Sequence, residues 1–185
     1  RHLLERYAKG RNVLNMFCYT GGFSFYAMRG GANLVHSVDS SAKAIDLTNM
    51  NVELNFPGDT RHKAYAEDAF KYLDRMGDQY DLIILDPPAF TKSRNSVKNA
   101  TKGYREINIK GMKLVKDGGY LATCSCSHFM TQELFTKTIG EAARSAHKRL
   151  RQVEFRTQSP DHPILWAADE SYYLKFYIFQ VVDEK

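Results

Sequence analysis

Five short apolar runs, most of them followed by a segment of helical periodicity, leave this chain few folds to adopt. RNVLNMF, NLVHSVD, RHKAYAED, YDLIILD and GYLATCSC read as strands. Between them, FSFYAMRGG reads as a helix closed by glycines, SSAKAIDLTNMNVELN as one capped by Ser40 or Ser41, and AFKYLDRMG as a third. Beyond DPPAF, the polar stretch TKSRNSVKNATKG leads into a helix through about Val115, and TQELFTKTIGEAARSAHKRL is the longest helix. RQVEFRT and YYLKFYIFQVV follow as two more strands, joined by the loop SPDHPILWAADES. Parallel strands need crossovers, and helices supply them. The expected fold is therefore α/β: a mostly parallel seven-stranded sheet covered by helices on both faces. The last two strands have no helix between them, so the last strand should run antiparallel.

The chain has 185 residues, enough for one domain that buries a core without staples. No uncharged apolar stretch approaches the ~20 residues that span a membrane, and the opening RHLLERYAKGR is charged and amphipathic, unlike a signal peptide. The chain does not begin with methionine, and it reads as a domain cut from a longer protein. Three cysteines, an odd number in a large core, point to free thiols in a reducing cytoplasm. A net charge of +5 permits a nucleic-acid partner without demanding one.

In a sheet of this kind ligands sit beyond the carboxyl ends of the strands. The chemically distinctive stretches CYTGG, VDSS, AED, DPPAF and CSCSH all fall at such ends. Gly21 and Gly22 allow close backbone approach, but the G-x-G-x-x-G pattern of pyrophosphate binding is missing. Asp39 closes the second strand, where an acid accepts hydrogen bonds from ribose hydroxyls; with Ser40 it also suits a helix cap. Asp68, followed by Ala69, suits either an adenine amino group or a cap. An adenosine-bearing cofactor without a phosphate tail fits these ends, and S-adenosylmethionine is such a molecule. At the fourth end, Asp86 precedes the stiff pair Pro87 and Pro88 and the ring of Phe90, a setting for a planar heterocycle. The [DN]-P-P-[FYW] pattern does not by itself name the atom acted on.

VLNMFCYTGGFSFYAMRGGA, SVDSS, NVELN, YDLIILDPPAF, GYREIN, GGYLATCSCS and the later DHP together resemble the catalytic domain of RlmI-type methyltransferases. The resemblance implies a Rossmann-like class I methyltransferase fold over residues 1–185 and S-adenosylmethionine as cofactor. It implies 5-methylcytosine formation in large-subunit ribosomal RNA. An N-terminal RNA-binding PUA domain belongs to the family and is missing from this stretch. By the same resemblance Tyr19, Thr20, Gly21 and Gly22 belong to the cofactor loop, Asp39 to the ribose, Asp68 to the adenine side and Asp86 to the base pocket.

Carbon 5 of cytosine is a poor nucleophile until a thiolate adds to carbon 6, which is the work of an exposed, partly ionised cysteine. The family's S-C-S pattern matches Ser125-Cys126-Ser127 and assigns the thiol to Cys126, with Asp86 stabilising the charge. Cys124 is the alternative nucleophile or a packed residue, and Cys18 is expected in apolar packing. Cys124, Cys126 and His128 have no second ligand pair at zinc spacing, so no metal is expected. Eight basic residues (Lys92, Arg94, Lys98, Lys102, Arg105, Lys110, Lys113 and Lys116) against the single acid Glu106 read as a phosphate-tracking rim or as a solvated helix face. Tyr104 and Trp166 are candidates for stacking on bases or for core and rim packing, and His162 for a base, a pocket wall or a structural loop residue. A same-fold enzyme acting on a guanine or exocyclic nitrogen, and a module that binds cofactor or RNA without chemistry, are the alternatives. The partners expected are ribosomal RNA and, as an open option, a second copy of the chain, but no membrane.

Overall fold

The computed structural model describes every residue except Asp78, Thr91, Lys92 and Lys185, and for Arg94 only the backbone. Among the described residues seven strands, β1 (Asn12–Met16), β2 (Leu34–Asp39), β3 (His62–Ala66), β4 (Tyr80–Leu85), β5 (Val115–Ser125), β6 (Lys148–Arg156) and β7 (Lys175–Asp183), form one sheet. Its order is β3-β2-β1-β4-β5-β7-β6. The first five strands are parallel, and β7 runs antiparallel to both β5 and β6. The strand order reverses direction between β1 and β4, so the crevice at the carboxyl ends of these two strands is the favoured ligand site.

Among the described residues six α-helices cover the sheet: α1 (Glu5–Ala8), α2 (Gly22–Arg29), α3 (Ala42–Asn55), α4 (Ala69–Arg75), α5 (Val97–Leu114) and α6 (Gln132–Ala146). The strands are apolar at successive positions because both faces are covered. Leu14, Met16, Ile83, Leu85 and Leu121 join the core beneath α4, α5 and α6. Val13, Leu82, Ile84, Ala122 and Cys124 join the opposite core, with Leu4, Ala8, Ala27 and Met28. This alternation sets which way each strand end points.

Caps fall at the expected residues. Ser41, not Ser40, caps α3 by accepting from the Ala44 amide at 3.2 Å, and Asp68 caps α4 by accepting from Lys71 at 3.1 Å. The long helix read through Leu150 stops earlier, at Ala146. His147 there takes a left-handed conformation (φ 56°) and its N–H turns back to the Ala143 and Arg144 carbonyls. Lys148 and Leu150 pair instead with Asp183 and Val181 of β7. Cross-strand pairing outweighed the helical pattern of HKRL.

Candidate active site

The central geometry follows from register. Leu85 of β4 lies beside Thr123 of β5, so the next residues, Asp86 and Cys124, are neighbours. Two positions after Ile84, Asp86 points to the same side of the sheet as Cys124. The Cys124 thiol is 2% exposed and donates to Asp86 Oδ1 at 3.1 Å. Burial pushes the Asp86 carboxyl above its ordinary range, while the Cys124 thiol and the Arg1 guanidinium pull it down. Cys124 is thus more than apolar filling, because it holds a carboxylate oxygen.

Cys126 lies just past the end of β5, and it is exposed where Cys18 and Cys124 are buried. The Ser125 hydroxyl below it donates to Tyr104 Oη at 3.0 Å, which anchors the strand end. Burial and the nearby Asp86 raise the Cys126 thiol above its ordinary value; the backbone amides of Cys126 and Ala89 and the ammonium of Lys175 act the other way. Cys18, by contrast, is pushed up to about 12 by burial and fits no nucleophilic role.

Two clefts open at this sheet end. The first, of about 580 Å³, is lined by Phe17, Tyr19, Asp39, Ser40, Asp68 and Ala69, with Phe70, Pro87, Pro88 and Phe90 completing its wall. The second, of about 640 Å³, is lined by Phe23, Cys124, Arg156, His162, Tyr173 and Phe176 among others. Asp86 and Cys126 line both. A group bound in either cleft therefore meets the same carboxyl and the same thiol.

The first cleft suits an adenosine. Asp39 accepts from the Tyr19 amide at 3.0 Å through one oxygen and from Ser41 at 2.9 Å through the other, which fixes the carboxylate at the cleft wall. The turn after β1 is tightly wound: Phe17, Tyr19 and Gly21 have φ of 57°, 50° and 90°. A Cβ at Gly21 would lie 2.8 Å from the Phe25 ring and the Thr48 methyl, so only glycine fits. Left-handed conformations at two residues other than glycine are a strain that binding sites often hold. Acidic edges, an aromatic wall and this turn agree with the donor and acceptor set of S-adenosylmethionine.

Several expected residues sit elsewhere than expected. Thr20, Gly21 and Gly22 shape the turn behind Tyr19 and are not among the residues lining the cleft; Phe17 and Phe70, which sequence reasoning missed, line it instead. Tyr104 is fully buried, with Phe90 and Phe135 edge-on against its ring at 4.8 and 5.7 Å, so it has no face for a nucleobase. Arg105 reaches Ser145 Oγ near the far end of α6 and lines neither cleft. Lys92 lies outside the described residues. The basic rim is also reduced: α5 runs for about 27 Å along the sheet, away from the clefts. Near its distal end Lys110 pairs with Asp74, and Lys116 just beyond it pairs with Asp81 at 3.2 Å.

His162 does line the second cleft, with Nδ1 3.3 Å from the Asp161 carboxylate. Trp166 is 99% exposed, beside Ile164 and Leu165 in a separate hollow of about 610 Å³. Among the described residues no three His, Cys, Asp or Glu side chains cluster as a metal site, and no helix is long and apolar enough to cross a membrane. The residue most overlooked in the sequence is Lys175, which is buried, lines the hollow beside Trp166 and donates to the Ser127 carbonyl just past Cys126. A lone lysine inside the aromatic run LKFYIF was its signal.

Comparison with known proteins fits this geometry. The family described as S-adenosylmethionine-dependent methyltransferase matches residues 1–179. "Ribosomal RNA large subunit methyltransferase I" of Erwinia tasmaniensis is 40% identical over 185 residues, covering 98% of this chain and 47% of that protein. The protein of the same name from Aeromonas hydrophila is 42% identical over 178 residues, covering 95% and 45%. The chain thus spans about half the length of the curated relatives it matches. Among solved structures, SMU.776, described as a methyltransferase and complexed with SAH, superposes with a TM-score of 0.83 at 26% identity, over 96% of this chain and 47% of its own. TYW2 of Pyrococcus horikoshii, at 14% identity and a TM-score of 0.73 over 99% of this chain and 61% of its own, shares the fold.

Proposed function

The chain belongs to the S-adenosylmethionine-dependent methyltransferase family, and from that premise we propose that it methylates carbon 5 of a cytosine in large-subunit ribosomal RNA through a covalent adduct on Cys126. The names of its relatives support the ribosomal substrate. One observation carries the chemistry: an exposed thiol and a buried carboxyl line both clefts together. An enzyme acting on a ring nitrogen needs no thiol at that point.

The roles follow from the positions. When bound in the first cleft, S-adenosylmethionine supplies an electrophilic methyl on a sulfonium. The second cleft takes the cytosine, swung out of the folded RNA. Cys126 adds as thiolate to carbon 6, and the electrons of the 5,6 double bond become available at carbon 5. Asp86, which burial inclines toward the protonated form, hydrogen-bonds ring nitrogen 3 and offsets the charge that develops there. A protonated Asp86 also removes the charge that opposes thiolate formation at Cys126. Once carbon 5 has taken the methyl, which leaves the donor sulfur as a neutral thioether, the carbon 5 proton passes to water and the carbon–sulfur bond to Cys126 breaks, restoring the aromatic ring and returning the thiolate.

The test is the identity of the product. Ribosomal RNA incubated with the protein and labelled cofactor, digested to nucleosides and separated by mass spectrometry, should carry the label in 5-methylcytidine. Label in a methylguanosine overturns the proposal in favour of a nitrogen-directed enzyme. Binding of cofactor with no label in any nucleoside overturns it in favour of a binding module.

A further inference from the structure

Lys175 has no place in the chemistry above, and its setting is unusual. It opens β7 opposite Ser125 of β5, one residue before the thiol. Its neighbour Phe176 faces the core that contains Cys124, so the Lys175 side chain rises on the other side of the sheet, beneath the turn 126–127. It is only 1% exposed, and lysine is almost never buried this far without partners. Its partners are neutral: Nζ donates to the Ser127 carbonyl at 2.5 Å and to the Tyr173 carbonyl at 2.8 Å, with the Tyr172 ring 5.9 Å away. Lys175 takes part in no ion pair among the described residues.

A buried ammonium is costly unless something offsets it, and two carbonyl acceptors do so only in part. A charge kept there for packing alone is poorly explained, since an apolar residue would serve. A charge that acts on a neighbour explains it better. The titratable neighbours are Cys126 and Cys124, whose thiolates would stabilise the ammonium. Asp86 faces the same thiols from β4, and His128 and Asp169 line the hollow on the outer side.

We propose that Lys175 is a positioning residue for the reaction: its ammonium pins the carbonyls of Ser127 and Tyr173, holds the turn that presents Cys126, and provides the positive charge that favours the Cys126 thiolate. The proposal rests on Cys126 being the nucleophile. It extends that reading by naming a group that acts opposite to an ionised Asp86: the ionised carboxyl raises the thiol's affinity for its proton, and the ammonium lowers it. Burial in turn lowers the lysine to about 8, so its charge is itself lost in mildly alkaline solution. The Cys126 thiol should then become harder to ionise as pH passes that value, which broadens its titration curve.

The test reads the thiol directly. The rate of Cys126 alkylation by iodoacetamide, followed by peptide mass spectrometry against pH, gives its ionisation midpoint in the intact protein. At pH 7 to 7.5, where the ammonium is still charged, alkylation in Lys175→Met should be roughly tenfold slower than in the wild type, with the difference closing as pH rises past 8, and Lys175→Arg should restore most of the loss. If Lys175→Met does not fold, the reciprocal measurement serves: in Cys126→Ser, at an exposed site, the ammonium observed by NMR should lose its proton at lower pH than in the wild type. An unchanged alkylation rate at pH 7 to 7.5 in a folded Lys175→Met variant, or an unchanged ammonium titration in Cys126→Ser, overturns the proposal. Methyl transfer that survives in Cys126→Ala would instead overturn the nucleophile assignment while leaving the thiol–lysine coupling measurable, so the two failures are distinct.

Discussion

Replacing Cys124 by valine separates two roles that one buried thiol can have. If Cys124 only fills space, valine of similar shape is tolerated at a small cost that is independent of pH. The structure instead has its thiol donating to Asp86 Oδ1 at 3.1 Å, inside a site where the carboxyl is already raised by burial. A hydrogen bond to a charged group contributes about 1.5–3 kcal/mol, and its loss should raise the Asp86 pKa by a further one to two units. An acid whose folded pKa is raised destabilises the fold in proportion to its ionisation. The added penalty in the variant is therefore fully present at pH values above the variant's raised pKa. It fades as pH falls through the wild-type carboxyl's own pKa, and below that it is gone. For a chain of this size, a penalty near 2 kcal/mol corresponds to a melting point lower by about 4–8 °C. Calorimetric melts of wild type and variant at several pH values between 4.5 and 8 should therefore converge as pH falls. Cys124→Ser, which keeps a donor, should show a smaller pH-dependent gap. A gap in Cys124→Val that is the same at every pH refutes the anchoring role and returns Cys124 to packing alone.

Two other perturbations probe the cofactor wall and the core. Asp39→Ala removes the acceptor of both the Tyr19 and Ser41 amides, and calorimetric titration should find S-adenosylmethionine bound roughly 10- to 100-fold more weakly, with Asp39→Asn between the two. His36 and His62 are held neutral by burial, His62 down to about 4, with His36 Nδ1 2.6 Å from Tyr80 Oη and His62 Nε2 2.7 Å from Ser37 Oγ. Because the unfolded rings take protons first, stability should be complete above about pH 6.5 and decline toward pH 4, by about 2 kcal/mol from His62 after allowing for its partial exposure. Melts across that range check the decline, and His62→Gln should flatten it.

The strand and helix pattern was readable because both sheet faces are covered: runs such as LIIL fit a strand buried on both sides. The strand ends were readable too, since Asp39, Asp68, Asp86 and Cys126 are chemically out of place after apolar runs, and all four line the first cleft. What sequence could not convey was direction. Tyr104 and Arg105 lie in a basic, RNA-like stretch, yet α5 turns the first into the core and the second toward α6. Cys124 is two positions from Cys126 and reads as filler until the β4–β5 register sets it against Asp86. Lys175 is distant from every motif and comes beside Ser125 and the Ser127 carbonyl only because β7 pairs antiparallel with β5. Each of these depends on pairing between distant segments, which local pattern does not encode.

The most direct measurement uses ribosomal RNA carrying 5-fluorocytosine at the target, whose fluorine cannot leave as a proton does. After incubation with the protein and cofactor, proteolysis and mass spectrometry should recover an RNA adduct on the peptide that contains Cys126, and none from Cys126→Ala. An adduct that maps to Cys124, or methylation that proceeds at full rate without Cys126, contradicts the account.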